Sequence, residues 1–366
     1  MKNFTAGTYK QQREYKSFTP SLVNCRYVWK NPQINLLVED AAKLLGALDA
    51  YSTLRPDIEF YIPMNIAKEA TYSNRIEGTK TELDETILPQ AEIIPERRDD
   101  WMEVQNYYDA MNYAIAKLPD LPVSMRLLKD VHKILMSGVR GKHKAPGEIR
   151  RSQNWIGGAS LKDAHYVPPS AEEVPNLLSD LEIFWHNQSL QLPYLIKIAI
   201  THYQFETIHP FLDGNGRCGR LLIVLQLINA NILNKPVLYL SSFFEKNRNS
   251  YYEALTQVRT ENDLDQWIVF FLNGVVETAY HGLKTFESII ALSEEYNAKI
   301  LTLGSRAKNA QKLLQLLYAK PILSTRAVED GLDISFSSAN RLLKSLTELG
   351  VLKETTGHTE PTLCLT

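Results

Sequence analysis

From Asn35 to Leu48 the apolar residues Leu36, Leu37, Ala41, Leu44, Leu45 and Leu48 return at three- and four-residue steps, the period of an amphipathic helix. The same reasoning predicts a second helix over Met64–Glu77, after Pro63 and before Gly78. Trp101–Lys117 reads as a third, with Val104, Tyr107, Tyr108, Met111 and Ile115 on one face, and Leu127–Met136 as a fourth. The helical period returns over Val174–His186, Leu195–Phe205, Gly216–Ala230, Arg248–Arg259 and Asp265–Ser293. Leu221–Leu233 is apolar almost all round, which marks it as the central buried helix. The first thirty residues are polar and aromatic without periodicity. They read as an extended arm packed on later structure.

Two stretches break the helical pattern. Gly138–Pro169 is rich in Gly, Pro and polar residues, and a loop of that length points to function. Within it, Asn154–Ile156 before Gly157-Gly158, followed by His165–Val167, predicts a small β-hairpin. The last sixty residues read as a helix over Asn309–Tyr318, a short helix over Ser324–Asp330 capped by Ser324 and stopped by Gly331, and a helix over Ser335–Leu349 ended by Gly350. Val351–Lys353 and Thr362–Leu365 are strand-like, on either side of a polar turn at Thr355–Glu360. This order resembles a winged helix-turn-helix over roughly Ser305 to Thr366.

Composition narrows the classes. Across 366 residues, 40 Lys and Arg against 42 Asp and Glu leave a net charge of −2, so a global polycation is excluded. The C-terminal unit is only weakly basic, which disfavours DNA binding and favours protein docking or dimerisation. Three scattered cysteines (Cys25, Cys218, Cys364) fit reduced thiols in a cytoplasm. The charge-free stretches Ile183–Ile196 and Leu221–Asn234 fall short of the ~18–20 apolar residues of a membrane span, and no apolar leader segment is seen.

The chemistry concentrates in His209–Arg220, HPFLDGNGRCGR. Pro210 forces the residue before it out of the helical region, so a loop opens at His209. Phe211 is a large apolar anchor in a polar loop. Gly214-Asn215-Gly216 permits a tight turn with exposed N–H groups, directly before a strongly apolar helix. A glycine-bearing loop feeding a helix N-terminus is an anion seat. Arg217 and Arg220 share one face of that helix's first turn, where cations oppose the dipole unless an anion lies against them. Asp213 would repel that anion unless a divalent cation bridges the two. The segment therefore reads as a di- or triphosphate–Mg²⁺ cradle with an imidazole at its edge. A rival reading takes His202, Glu206 and His209 as a metal triad on a continuous helix, against which Pro210 argues.

HPFLDGNGRCGR resembles the signature of the Fic family, HPFx(D/E)GNGRxxR, at every fixed position. The resemblance implies a mainly α fold, with a Fic core at about 121–280 and a small hairpin flap. It further implies an N-terminal helical region over 1–120, a linking helix at 281–305 and the winged helix at 306–366. It implies AMP transfer from ATP to a Ser, Thr or Tyr hydroxyl of a protein. His209 would be the general base and Asp213 the holder of Mg²⁺ or Mn²⁺. Gly214, Asn215 and Gly216 would line the anion hole, with Arg217 and Arg220 neutralising the β- and γ-phosphates. GEIRRSQNWIGG at 147–158 resembles the entry to the family's flap, with Asn154, Trp155, Ile156 and Gly157 as the edge that aligns a target strand. RNSYYEAL at 248–255 resembles the helix closing on the nucleoside, with Tyr251 and Leu255 as one wall. The target protein stays unnamed, and self-modification and a homodimer are open. The runner-up is a nucleotide-sensing transcription regulator acting through the winged helix.

Upstream, Ile66, Ala70, Ser73 and Glu77 step by four, three and four along one stripe, so Glu77 turns inward at a helix C-terminus where a carboxylate opposes the dipole. Such a group calls for a cationic partner. Ser73–Gly78 resembles the family's inhibitory motif, (S/T)xxxE(G/N), on a helix at about 64–78. That resemblance implies pairing of Glu77 with Arg220 and an enzyme restrained by its own N-terminal region.

Overall fold

The computed structural model describes residues 1, 4–138, 141, 143–319, 322–354 and 362–365. The N-terminal arm is more regular than its composition suggests. β1 (Gly7–Gln11) pairs antiparallel with β2 (Lys16–Pro20), Tyr9 opposite Phe18. No alternation announces these strands. They are held by Phe18, which is only 1% exposed in the main core.

Eleven helices follow among the described residues up to 301. α1 (Gln33–Leu54) outruns its periodic stretch at both ends and packs along α11. A 3₁₀ turn at Pro56–Tyr61 leads into α2 (Ile62–Ile76), with Glu77 as its C-cap residue. α3 (Leu83–Thr86) is a single turn closed by a capping box between Glu82 and Glu85. α4 (Arg98–Lys117), α5 (Met125–Leu135) and α6 (Val174–His186) match the periodic reading within a few residues, and Ser124 caps α5. α7 (Tyr194–Ile208) and α8 (Asn215–Asn229) pack against each other at the centre. The apolar α8 is buried as expected. α7 is buried from Leu195 onward as well, although it carries Lys197, His202 and Glu206. Several of its polar groups find partners inside, the Lys197 ammonium donating to the Asn187 carbonyl at 3.0 Å, whereas Glu206 Oε1 is buried without a hydrogen-bond partner. α9 (Ser241–Lys246) and α10 (Arg248–Glu261) precede α11 (Leu264–Leu301), one continuous helix across residue 280.

The C-terminal segment forms a second core. α12 (Ala307–Ala319) is followed by β3 (Ile322–Ser324), α13 (Thr325–Leu332), α14 (Phe336–Glu348), β4 (Leu352–Glu354) and β5 (Thr362–Leu365). The three strands form an antiparallel sheet in the order β3–β5–β4. Two readings change here. β3 was not signalled. Gly331 lies inside α13, which ends where Asp333 adopts the left-handed conformation (φ 53°). The turn at 355–360 lies outside the described residues. Ser324 and Ser335 do cap α13 and α14. Among the described residues no helix is long and apolar enough to cross a membrane.

Candidate active site

The helix ends where proline dictates. His209 takes the left-handed conformation (φ 51°, ψ 61°), and its N–H still reaches the Phe205 carbonyl at 3.0 Å. A histidine at positive φ needs holding. Arg150 Nε and Asn154 Nδ2 donate to the His209 carbonyl at 2.9 and 3.1 Å, and Asn154 also donates to the Phe211 carbonyl at 2.8 Å. The same guanidinium reaches the carbonyls of Pro169 at 2.6 Å and Ile208 at 3.3 Å. Phe211 is fully buried and lies face to face on the His132 ring, with centroids 3.8 Å apart. The Asn215 side chain closes the loop from within, accepting from Phe211 N at 2.8 Å and donating to Phe211 O at 2.9 Å. Gly214 adopts φ 75° at the start of α8, where a Cβ would press on Met136 and His132.

Within this frame the His209 ring is half-buried, and burial pushes its pKa down to about 4. Its Nδ1–H donates to the Glu206 carbonyl at 3.3 Å, so Nε2 is the nitrogen left to accept a proton. Asp213 has a side chain 48% exposed, and its Oδ1 accepts from Gly214 N at 2.6 Å. This changes one expected role. The Gly214 N–H is already taken, and the unpartnered donors of the first turn of α8 begin at Asn215 and Gly216.

Both arginines of the loop are held by helices of the N-terminal region. Arg220 donates from Nε to Ser73 Oγ at 2.8 Å, and from one terminal nitrogen to the Ser73 carbonyl at 2.9 Å and to Glu77 Oε1 at 2.6 Å. Burial raises the Glu77 pKa, but the Arg220 guanidinium, with Arg217 and His209 beyond it, outweighs burial and holds the carboxyl below its usual range. Gly216 permits this arrangement, because a Cβ there would strike Glu77 Oε1. Arg217 bonds Glu103 of α4 at 2.9 Å and lies 3.7 Å from Asp213. A cavity of about 260 Å³ opens beside this group, lined by Glu77, Glu103, Met136, Asp213 and Arg217 among others.

Other expected residues fall into place unevenly. Tyr251 and Leu255 share a face of α10 but are buried, and the Tyr251 hydroxyl donates to His202 Nε2 at 2.8 Å. Tyr252, its neighbour, is the half-exposed ring. His202 Nδ1–H donates to the Gly219 carbonyl at 3.1 Å, so both nitrogens of the would-be metal ligand are engaged. Among the described residues no group of three or more His, Cys, Asp or Glu could hold a metal ion. The expected hairpin at 154–167 is reduced to one antiparallel bridge, Ile156 to Tyr166. Trp155 and Ile156 are exposed (41% and 37%), but the Asn154 side chain turns inward onto the His209 loop. Cys218 is a buried free thiol.

The sequence did not single out Arg150, His132 or Glu103 as parts of the site. His132 Nδ1 accepts from Gly147 N at 2.8 Å and its Nε2–H donates to the Asp213 carbonyl at 3.0 Å. Burial pushes its pKa down to about 4, so it serves as a neutral strut under the loop. No local spacing links these residues to the loop. Only the fold brings them there.

A mainly helical core presents a glycine loop, an imidazole and two arginines at a helix N-terminus. Comparison with known proteins makes this specific. Residues 122–227 match the Fic/DOC family model and residues 35–116 the Fic/DOC family N-terminal model, together just over half of the chain. The chain belongs to the Fic/DOC family. It is 30% identical over 238 residues to a protein adenylyltransferase Fic of Culex quinquefasciatus, covering 63% of this chain and 43% of the relative. A protein of the same name from Aedes aegypti is 30% identical over 178 residues, 47% and 32% of the two chains. The chain thus spans less than half the length of these relatives. A Fic family protein from Desulfovibrio desulfuricans superposes with a TM-score of 0.61 at 21% identity, over 93% of this chain and 98% of that one. Fic-1 from C. elegans superposes with a TM-score of 0.53 at 20% identity, over 70% and 75%. At these identities the likeness is one of fold.

Proposed function

We propose that the protein is an adenylyltransferase that moves AMP from ATP to a Ser, Thr or Tyr hydroxyl of a target protein and releases pyrophosphate. The observation carrying this reading is the juxtaposition of a neutral His209, with Nε2 available, and the glycine loop at the start of α8. In the reaction the target hydroxyl gives its proton to His209 Nε2 as its oxygen attacks the α-phosphorus. The bond from the α-phosphorus to the bridging oxygen breaks, and that oxygen leaves with pyrophosphate. The N–H groups of Asn215 and Gly216 and the Arg217 and Arg220 side chains stabilise the phosphate charge, so the protein acts by positioning and electrostatics.

A single half-exposed carboxylate suits Mg²⁺ or Mn²⁺, which take few protein ligands and complete their shell with phosphates and water. Asp213 would hold the ion. When bound, it supplies positive charge to the phosphates.

Autoinhibition belongs to the same proposal. Glu77 occupies Arg220, the cation assigned to the γ-phosphate, and lies over Gly216. ATP and Glu77 then compete for one guanidinium. The proposal extends to a division of the chain at about 120, 280 and 305, with the C-terminal unit a winged helix that docks protein. The decisive test is labelling of a cell lysate with α-labelled ATP. The Glu77→Gly variant should label more than the native chain and lose the label in EDTA. Equal labelling by both, or full labelling in chelator, would overturn the assignment of Glu77 or Asp213 respectively.

A further inference from the structure

We propose that the N-terminal hairpin, β1 and β2, is a strut of the flap that positions the Asn154–Gly157 edge, and so governs use of the acceptor protein rather than of the nucleotide. Neither family model reaches the hairpin. Its place follows from backbone direction. In an extended strand, consecutive residues turn their N–H and C=O groups to opposite sides. Tyr166 exchanges main-chain hydrogen bonds with Ile156, at 2.8 and 3.2 Å. Val167, the next residue, turns the other way, and its carbonyl accepts from Phe18 N of β2 at 2.9 Å. The return segment of the flap is therefore sandwiched between Ile156 and β2.

Side chains fasten the same junction. The Phe18 ring lies 6.5 Å from that of Tyr166 and 4.9 Å from that of Tyr9. Arg259 of α10 covers the other part of Tyr166, its guanidinium carbon 4.1 Å from the ring centroid, and the Tyr166 hydroxyl donates to the Thr207 carbonyl at 2.7 Å. At the tips, Glu14 of the hairpin pairs with Lys162 of the flap loop at 2.9 Å. At the base, Thr19 donates to Glu173, which also pairs with Lys10.

Two consequences follow. With β2 on one side, the flap keeps a single open edge, and among the described residues the main-chain groups of Trp155 on that edge have no partner, the chain turning away at Gly157 (φ 71°). An extended acceptor segment can pair only there. The flap's own pairing is one bridge, too little to hold an edge in place, since even a full two-stranded hairpin is marginal alone. The hairpin supplies what the flap lacks.

The acceptor arm of the test rests on the adenylyltransferase reading; the exchange arm does not. Phe18→Ala and Phe18→Leu are compared in the full-length Glu77→Gly chain. Hydrogen exchange of the Ile156 and Tyr166 amides should be about tenfold faster in Phe18→Ala and close to the parent in Phe18→Leu. Calorimetric binding of ATP with Mg²⁺ should stay the same. Lysate protein labelled at stepped concentrations should half-saturate at a higher concentration with an unchanged plateau. Should Phe18→Ala not fold, Lys162→Glu replaces it, with faster exchange that returns to the parent rate on adding Glu14→Lys. Unchanged exchange at Ile156 and Tyr166, or an equal loss of ATP affinity, overturns the strut. A parent inert toward every acceptor would instead sink the transferase reading, while exchange still decides the hairpin's role.

Discussion

His209 and Glu77 carry the sharpest expectations at the scale of single residues. His209→Ala should keep ATP binding and lower AMP transfer by ~10²–10⁴, because the imidazole serves the incoming hydroxyl. The base works unprotonated, and burial sets its pKa near 4 rather than 6.5. The rate should therefore hold on acidification past 6.5 and fall only at lower pH. Glu77 raises that pKa, so the acid limb of Glu77→Gly should move lower still. A rate profile with its midpoint at or above 6.5 would refute the assignment. The Glu77–Arg220 contact is a charged hydrogen bond, a class worth about 1.5–3 kcal/mol. Its removal should raise productive ATP binding by roughly ten- to a hundredfold. Arg220→Ala should not reproduce the gain, since it removes the γ-phosphate seat with the brake, and the double variant should be no better than Arg220→Ala alone. Titration of each variant with ATP separates these outcomes. The need for a cationic partner was legible beforehand because Glu77 continues an inward stripe and sits at the wrong end of a helix dipole; Arg220 as that partner followed only from the resemblance of Ser73–Gly78 to the inhibitory motif.

The decisive element is the loop from His209 to Gly216, tied within itself by Asn215 and from outside by Arg150, Asn154 and His132. Arg150 alone bonds the carbonyls of Pro169, Ile208 and His209 with a fixed planar fork. Burial pushes its pKa down to about 10, still fully cationic at neutral pH. Arg150→Met would leave buried carbonyls unmatched, at about 1–3 kcal/mol each. We expect a lower urea midpoint and a loss of AMP transfer larger than the loss of ATP binding. Arg150→Lys should not rescue it, because an ammonium cannot present the same fork. Native-like stability of Arg150→Met would show that the loop holds itself. Sequence reading found the loop through proline, glycine and a helix start, all local signals. Arg150 and His132 stayed hidden because their partners lie 59 and 81 residues away.

For the whole molecule, the question is how the two hydrophobic cores communicate. α11 runs unbroken from the first into the second, which contains Tyr296 and Ile300 near the helix end. The 3₁₀ turn before α2 adds a second link: the Tyr61 ring lies 4.7 Å from that of Tyr318 on α12. The helix bearing Glu77 thus begins against the C-terminal unit. An aromatic pair contributes about 0.5–1.5 kcal/mol beyond its buried area. The native chain should unfold in one calorimetric transition, and Tyr318→Ala should separate the C-terminal unit as an earlier, smaller one. A single transition at the native temperature in that variant would show that the Tyr61–Tyr318 pair does not couple the cores.

The longer helices followed from period, caps and prolines, since each depends on neighbours within a turn or two, whereas the short α3 and α9 were not signalled. The proposed phosphate loop and its proposed brake could be located for the same reason: HPFLDGNGRCGR and Ser73–Gly78 pack their chemistry into contiguous residues. Tertiary structure alone decided which way polar side chains point. Tyr251 spends its hydroxyl on His202, Asn154 turns from the flap edge to the loop, and Gly214 gives its N–H to Asp213. It also made a hairpin of an arm with no periodicity, because Phe18 finds its burial against Tyr166 and not within its own strand. Such contacts join residues far apart in the chain, and no local period records them.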